Sequence, residues 1–236
     1  SATDTFVYTL SDGTAITTAN ITITVLGSND APVAQNDTGT ILEDGTLTVS
    51  DGDGTSTIAG ASFVDSFSIL SQETVSISLA FNTDGTKMFV LGRAGQDVNE
   101  YTLSTGFDVS TASFVDSFSV SSQDTTPNGL AFNTDGTKMF VTGNIGNDIN
   151  EYTLSTGFDV STASYDSNFS VSSQTTTPQS LSFNSDGTKM FLVGNDVDRV
   201  HEYTLSTGFD VSTASFVDSF SISSQDTAPS GLAFNT

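Results

Sequence analysis

The chain has 236 residues, of which 28 are acidic and five basic, giving a formal net charge of −23 at neutral pH. Such a charge repels phosphate, so neither nucleic acid nor an anionic membrane surface is expected as a direct partner unless cations bridge. The absence of cysteine excludes disulfides, Cys-zinc sites and thiol nucleophiles.

In chain order, Phe6, Tyr8 and Leu10 alternate with their neighbours, and Ile21, Ile23 and Val25 alternate with Thr22 and Thr24. Both segments predict half-buried strands of a sandwich-type sheet, turned at Ser11-Asp12-Gly13. Asn29-Asp30-Ala31-Pro32 ends the second strand. The strings DTFVYTLSDG, ITITVLGSNDAPVA and NDTGTILEDGTLTV resemble the cadherin-like modules of large bacterial surface proteins, of the VCBS or bacterial Ig-like kind. The resemblance implies that 1–27 is the end of one module and that 28–50 opens another. Residues 1–56 are then a partial module and linker. It also implies calcium, which takes roughly six to eight oxygen ligands from clustered carboxylates, amides and carbonyls. The candidate ligands are Asp12, Asn29, Asp30, Glu43, Asp44, Asp51 and Asp53. Chain position 1 is Ser, with no basic or apolar leader after it, so a signal peptide is expected to lie outside this segment.

Residues 57–236 are a second region, built on a repeat of 51 residues. NTDGTKMF begins at Asn82 and Asn133, NSDGTKMF at Asn184, and EYTLSTGFDVSTA at Glu100, Glu151 and Glu202. The units run 62–112, 113–163 and 164–214, with a truncated fourth at 215–236. Within one unit, 114–121 predicts a strand and 127–129 a turn. Apolar runs at 130–132 and 139–141 flank Thr134-Asp135-Gly136-Thr137, a hairpin signal because Gly adopts positive φ cheaply. A fourth strand is predicted at 149–154, followed by the connector 158–163. Met139-Phe140-Val141 is apolar on both faces, as expected of a sheet packed between two others. Four short strands per repeat predict an all-β fold, an incomplete β-propeller of four-stranded antiparallel blades beside the partial sandwich. A stacked β-solenoid is the alternative. The string GLAFNTDGTKMFV resembles the blade hairpin of bacterial surface propellers.

The first two units differ mainly at 69–78 against 120–129 and at 91–98 against 142–149. These connections share one end of an up-down sheet, which makes that end the expected binding face. Several recurring residues point to structure instead. Glu100, Glu151 and Glu202 recur in every unit, whereas a propeller has one axis. Lys87, Lys138 and Lys189 follow Asp84, Asp135 and Asp186 across the hairpin turn as expected exposed pairs. His201 stands where other units have Asn99 and Asn150, which predicts a solvated polar position. The recurring Phe63, Phe67, Phe81 and Phe89 are expected in the core.

Together these features predict part of a secreted or cell-surface bacterial protein that acts in binding or adhesion and is not an enzyme. Its expected partner is a glycan or protein on a cell or matrix surface. Two alternatives are a propeller hydrolase or lactonase with an axial metal, and a purely structural spacer.

Overall fold

The computed structural model describes residues 2–11, 13–25 and 62–234. The chain divides into two units, Ser1–Ala61 and Ser62–Thr236. In the first, β1 (Ala2–Ser11) and β2 (Ile16–Val25) pair antiparallel, with Phe6 opposite Ile21. Gly13 takes φ 91° in the connection, a conformation a side chain disfavours. Phe6 and Ile21 are half exposed, and the strands that alternation predicts are present. Among the described residues of this unit they form a two-stranded ribbon rather than a sandwich.

The described part of the second unit holds three antiparallel sheets of four strands each. The first consists of β3 (Ser76–Phe81), β4 (Lys87–Gly92), β5 (Asp97–Leu103) and β6 (Ala112–Ser119), hydrogen-bonded in that order. The second follows with β7 (Pro127–Phe132), β8 (Lys138–Gly143), β9 (Asp148–Leu154) and β10 (Ala163–Ser170). The third has β11 (Pro178–Phe183), β12 (Lys189–Gly194), β13 (Arg199–Leu205) and β14 (Ala214–Ser221). The first strands β3, β7 and β11 lie beside one another, so each sheet runs outward from a shared inner edge. That is the form of propeller blades.

The second blade is buried on both faces by its neighbours. Phe89, Leu91 and Val98 on the trailing face of the first blade pack against Leu130, Met139, Val141 and Tyr152 on the leading face of the second. Phe140 and Ile149 pack in the same way against Leu181, Met190, Leu192 and Tyr203 of the third. The two-sided apolar run at 139–141 is therefore fully buried. The recurring Phe residues are not uniformly in the core, since Phe63 is exposed while Phe89 is buried.

The sheet is out of phase with the repeat as delimited from the sequence. Ala112–Ser119 pairs with β5, so it closes the first blade rather than opening the second. The expected turn at 127–129 is instead the start of the inner strand β7. Proline is tolerated at a strand's first residue, where no ladder donor is needed. Gly129 sits at a register shift, and a Cβ there would meet the Gln179 carbonyl oxygen at 2.6 Å.

The Asp-Gly hairpin forms as predicted, with Gly136 at φ 72°. Its backbone carbonyl accepts the N–H of Phe158 at 3.0 Å. Phe158 is itself left-handed at φ 59°, a strained state for a bulky residue. Its ring lies where a Gly136 side chain would go. Asp159 then caps a single 3-10 turn, Val160–Thr162, by accepting the Ser161 N–H.

Candidate functional site

The recurring Lys and Glu residues join blades. In β8 and β9, Phe140 lies opposite Glu151 and Lys138 opposite Thr153, so Lys138, Phe140 and Glu151 share the trailing face. Lys138 donates to Glu151 and to the Phe209 carbonyl of the third blade, and Glu151 also accepts the Val211 N–H at 2.8 Å. The first interface repeats this: Lys87 donates to Glu100 and to the Phe158 carbonyl, both at 2.6 Å, and Glu100 accepts the Val160 N–H. This corrects the expected pairing of these lysines with Asp84 and Asp135. Those aspartates instead accept from Thr86 and Thr137 in the turn, and these bonds hold their carboxyls below the usual range.

At the other end of the blades, the two variable connections meet. Glu73 accepts the N–H groups of Val75, Ala94 and Gly95. Burial works against its charge, but these bonds hold its pKa below the ordinary value. Asp124 likewise accepts from Ile145 and Gly146 in the second blade. Burial pushes the carboxyls of Asp97 and Asp148 up, despite bonds from Asn99 to the first and from Asn168 and Asn150 to the second. In the third blade the acid moves across the loop. Thr175 stands in the Glu73 position, and Asp196 accepts from Thr175, Thr176 and Thr177. A carboxylate thus ties the two connections together in every blade, from either side, which is a structural role.

His201 is buried, not solvated as its exchange with Asn suggests. Asn99 and Asn150 each donate to an aspartate, Asp97 or Asp148. Arg199 occupies that position in the third blade, and among the described residues neither His201 ring nitrogen has a hydrogen-bond partner. Burial, and then Arg199, push its pKa down.

The inner edge is different in character. A cleft of about 520 Å³ runs along it, lined by Ser78, Asn128, Gln179, Ser180, Ser230 and Gly231 among others. One repeat position gives Ile77, Asn128, Gln179 and Ser230, a different side chain in each of its four copies. Asn128 is fixed by Arg93, Asn144 and the Pro178 carbonyl, whereas Gln179 and Ser230 are accessible. The lining is uncharged: amides and hydroxyls of Asn128, Gln179 and the serines beside the apolar Ile77, Leu79, Leu232 and Ala233. Sequence reasoning marked 120–129 as variable but had no means of placing it at the inner edge.

The candidate calcium ligands Asp12, Asn29, Asp30, Glu43, Asp44, Asp51 and Asp53 lie outside the described residues. Among the described residues no group of three or more His, Asp or Glu could hold a metal ion. No helix there is long and apolar enough to cross a membrane.

No protein-family pattern matches the chain, and no curated protein sequence matches it. Solved structures do. A periplasmic gluconolactonase from Pseudomonas aeruginosa is 14% identical, with a TM-score of 0.42, covering 60% of this chain and 38% of that one. The Cps50 (Swd1) β-propeller domain of Myceliophteria thermophila is 9% identical, with a TM-score of 0.42, covering 62% and 43%. Hydrazine synthase of Kuenenia stuttgartiensis is 13% identical, with a TM-score of 0.47, covering 72% and 42%. The chain thus spans about two fifths of the length of the structures it matches. The expectation that it is not an enzyme is corrected by this finding, because structural neighbours are named as lactonases.

Proposed function

We propose that the blades recognise a neutral, hydroxyl-rich small molecule, a sugar or a sugar lactone, in the cleft along their inner edge. The observation that supports this most is that a repeat position at the inner edge changes in every copy, Ile77, Asn128, Gln179 and Ser230. Three of these four are amides or a hydroxyl, which pair well with sugar hydroxyls. A net charge of −23 disfavours a phosphorylated or carboxylate ligand. A sugar lactone meets both conditions, and its ring opening by water is the reaction of the lactonase alternative named above.

The test is saturation-transfer NMR of the full chain with δ-gluconolactone and with gluconate. The lactone is expected to bind and the anion to bind more weakly. Gln179→Ala is expected to weaken the lactone about fivefold, the worth of one hydrogen bond of about 1 kcal/mol. Equal binding by the variant, or none by either protein, contradicts the cleft as the site. Lactone opening faster than in buffer alone extends the proposal from binding to hydrolysis.

We further propose that 1–56 is a cadherin-like stalk in a secreted or cell-surface protein, stiffened by calcium at its acidic turns. The motifs quoted above support this. Thermal melting in millimolar Ca²⁺ and in EDTA tests it. At 100 times its dissociation constant, calcium adds about 2.7 kcal/mol to the unit that binds it. No shift of any transition, or a shift that survives replacing Asp30 and Asp44 together by Asn, contradicts it.

A further inference from the structure

Each blade buries one polar side chain of its third strand on the leading face. The position holds Asn99, Asn150 and His201, which are 2%, 2% and 3% exposed. In the first two blades the aspartate two residues earlier satisfies it: Asn99 donates to Asp97 at 2.8 Å and Asn150 to Asp148 at 2.9 Å. Asn168, opposite Asn150 across the ladder, completes the second set by donating to Asp148 at 2.7 Å. In the third blade all three members change together, to Arg199, His201 and Ser219. Arg199 donates to Ser219 at 3.0 Å. Among the described residues, both ring nitrogens of His201 are buried without a hydrogen-bond partner.

His201 lies opposite Leu192 of β12 and opposite Ser219 of β14, and the Phe216 ring is 6.2 Å from its own. The face it shares with Leu192 and Tyr203 packs on Phe140 and Ile149 of the second blade. A neutral imidazole tolerates this setting better than a charged one. Protonation gives the ring two N–H donors and a full charge, all buried without acceptor or counter-ion. The surrounding charges do not supply the missing partner. Arg199, on the same face, opposes a second positive charge. Asp196, in the connection before β13, acts the other way but is engaged by Thr175, Thr176 and Thr177, and Asp198 lies in the same connection. Lys189 of β12 pairs with Glu202 of β13, and Asp218 of β14 lies opposite Glu202. The facing side of the second blade brings Lys138 and Glu151, bonded to each other and to the backbone of the third blade, with Asp166 acting on Glu151.

We propose that His201 makes the joint between the second and third blades acid-sensitive, closed while the ring is neutral and loosened when the ring takes a proton. The joint between the first and second blades, with Asn150 in the same place, lacks this response. The imidazole of an opened chain takes its proton near pH 6.5. Burial and Arg199 push the pKa of the enclosed ring below that value, so the closed joint binds fewer protons than the open one. The joint therefore holds fully above the open-chain value and weakens as the pH falls below it. The open state sets the limit: between roughly pH 7.5 and 5.5, its protonation favours opening by at most about tenfold.

The test is amide hydrogen exchange of the full chain at roughly pH 7.5 and 5.5, with each rate taken against its intrinsic value at that pH. Glu151 and Glu100 accept the Val211 and Val160 N–H groups across the second and first joints. A loss of overall stability moves both, so the ratio of their protection isolates the second joint. On acidification the wild type is expected to lose Val211 protection relative to Val160 severalfold, with about tenfold as the limit. His201→Asn restores the residue of the other blades and cannot take the proton, so its ratio is expected to stay nearly constant. Comparing the two proteins removes any part played by Glu151, which both contain. Should His201→Asn fail to fold, His201→Phe removes the same proton site with a ring. His201 is the one histidine of the chain, so its ring C–H signals in proton NMR report its ionisation directly in the wild type. Those signals are expected to keep their neutral position below pH 6.5. A ring that titrates at or above the open-chain value, a wild-type ratio that does not fall, or an equal fall in wild type and variant overturns the proposal.

Discussion

Replacing Glu151 with alanine is expected to lower the unfolding free energy by about 3–5 kcal/mol, the range found when one partner of a buried ion pair is removed. Glu151 is fully buried between the second and third blades. Burial pushes its carboxyl up, and the bonds from Lys138 and Val211 work against that rise. Its removal leaves the buried Val211 N–H without its acceptor, and the Lys138 ammonium, about a quarter exposed, with the Phe209 carbonyl but no countercharge. Glu202→Ala is the internal control. The same residue in the same strand is there half-open to solvent, and its Lys189 partner is 52% exposed. That pair contributes about 0–1 kcal/mol. Urea unfolding of the two variants under one set of conditions gives the comparison. Equal losses would remove the interblade bond from the account of stability.

Phe140→Ala is expected to cost about 3–5 kcal/mol, the transfer and cavity cost of deleting a fully buried ring. Phe140 has no solvent exposure and packs on Phe183 with centroids 4.6 Å apart. Its counterpart Phe191 lines a groove on the trailing face of the third blade and is covered in part by Phe234. Phe191→Ala is therefore expected to cost only about 1–2 kcal/mol, in proportion to the smaller area that it buries. Equilibrium unfolding with an unchanged denaturant slope measures both. A Phe191 loss as large as the Phe140 loss would mean that 229–234 covers the third blade as a whole blade covers the second.

The 51-residue period, the short strands and the Asp-Gly hairpins were legible because each rests on local chemistry: two-sided apolar runs and glycine at positive φ. The phase of the sheet was not. A repeat has no intrinsic beginning, and nothing within Ala112–Ser119 says whether it pairs backward to β5 or opens the next blade. The Lys138 partner was missed for a related reason. Asp135 is three residues away in sequence, but Glu151 is the diagonal neighbour across the ladder, and only the register reveals it. His201 looked solvated because Asn replaces it twice. Those asparagines are themselves buried and are satisfied by an aspartate that the third blade lacks. The inner-edge cleft depends on which strand is innermost, a property of the assembled blades and not of any single unit. The candidate calcium ligands lie outside the described residues and rest on the motif resemblance.

Amide shift mapping of the full chain with δ-gluconolactone tests the central claim most directly. If the inner edge is the binding site, the shifts centre on Gln179, Ser180, Ser230 and Gly231 and fade toward the outer strands β6, β10 and β14. Shifts centred instead on the hairpins at 93–96 and 144–147, or no shifts at saturating ligand, would contradict it.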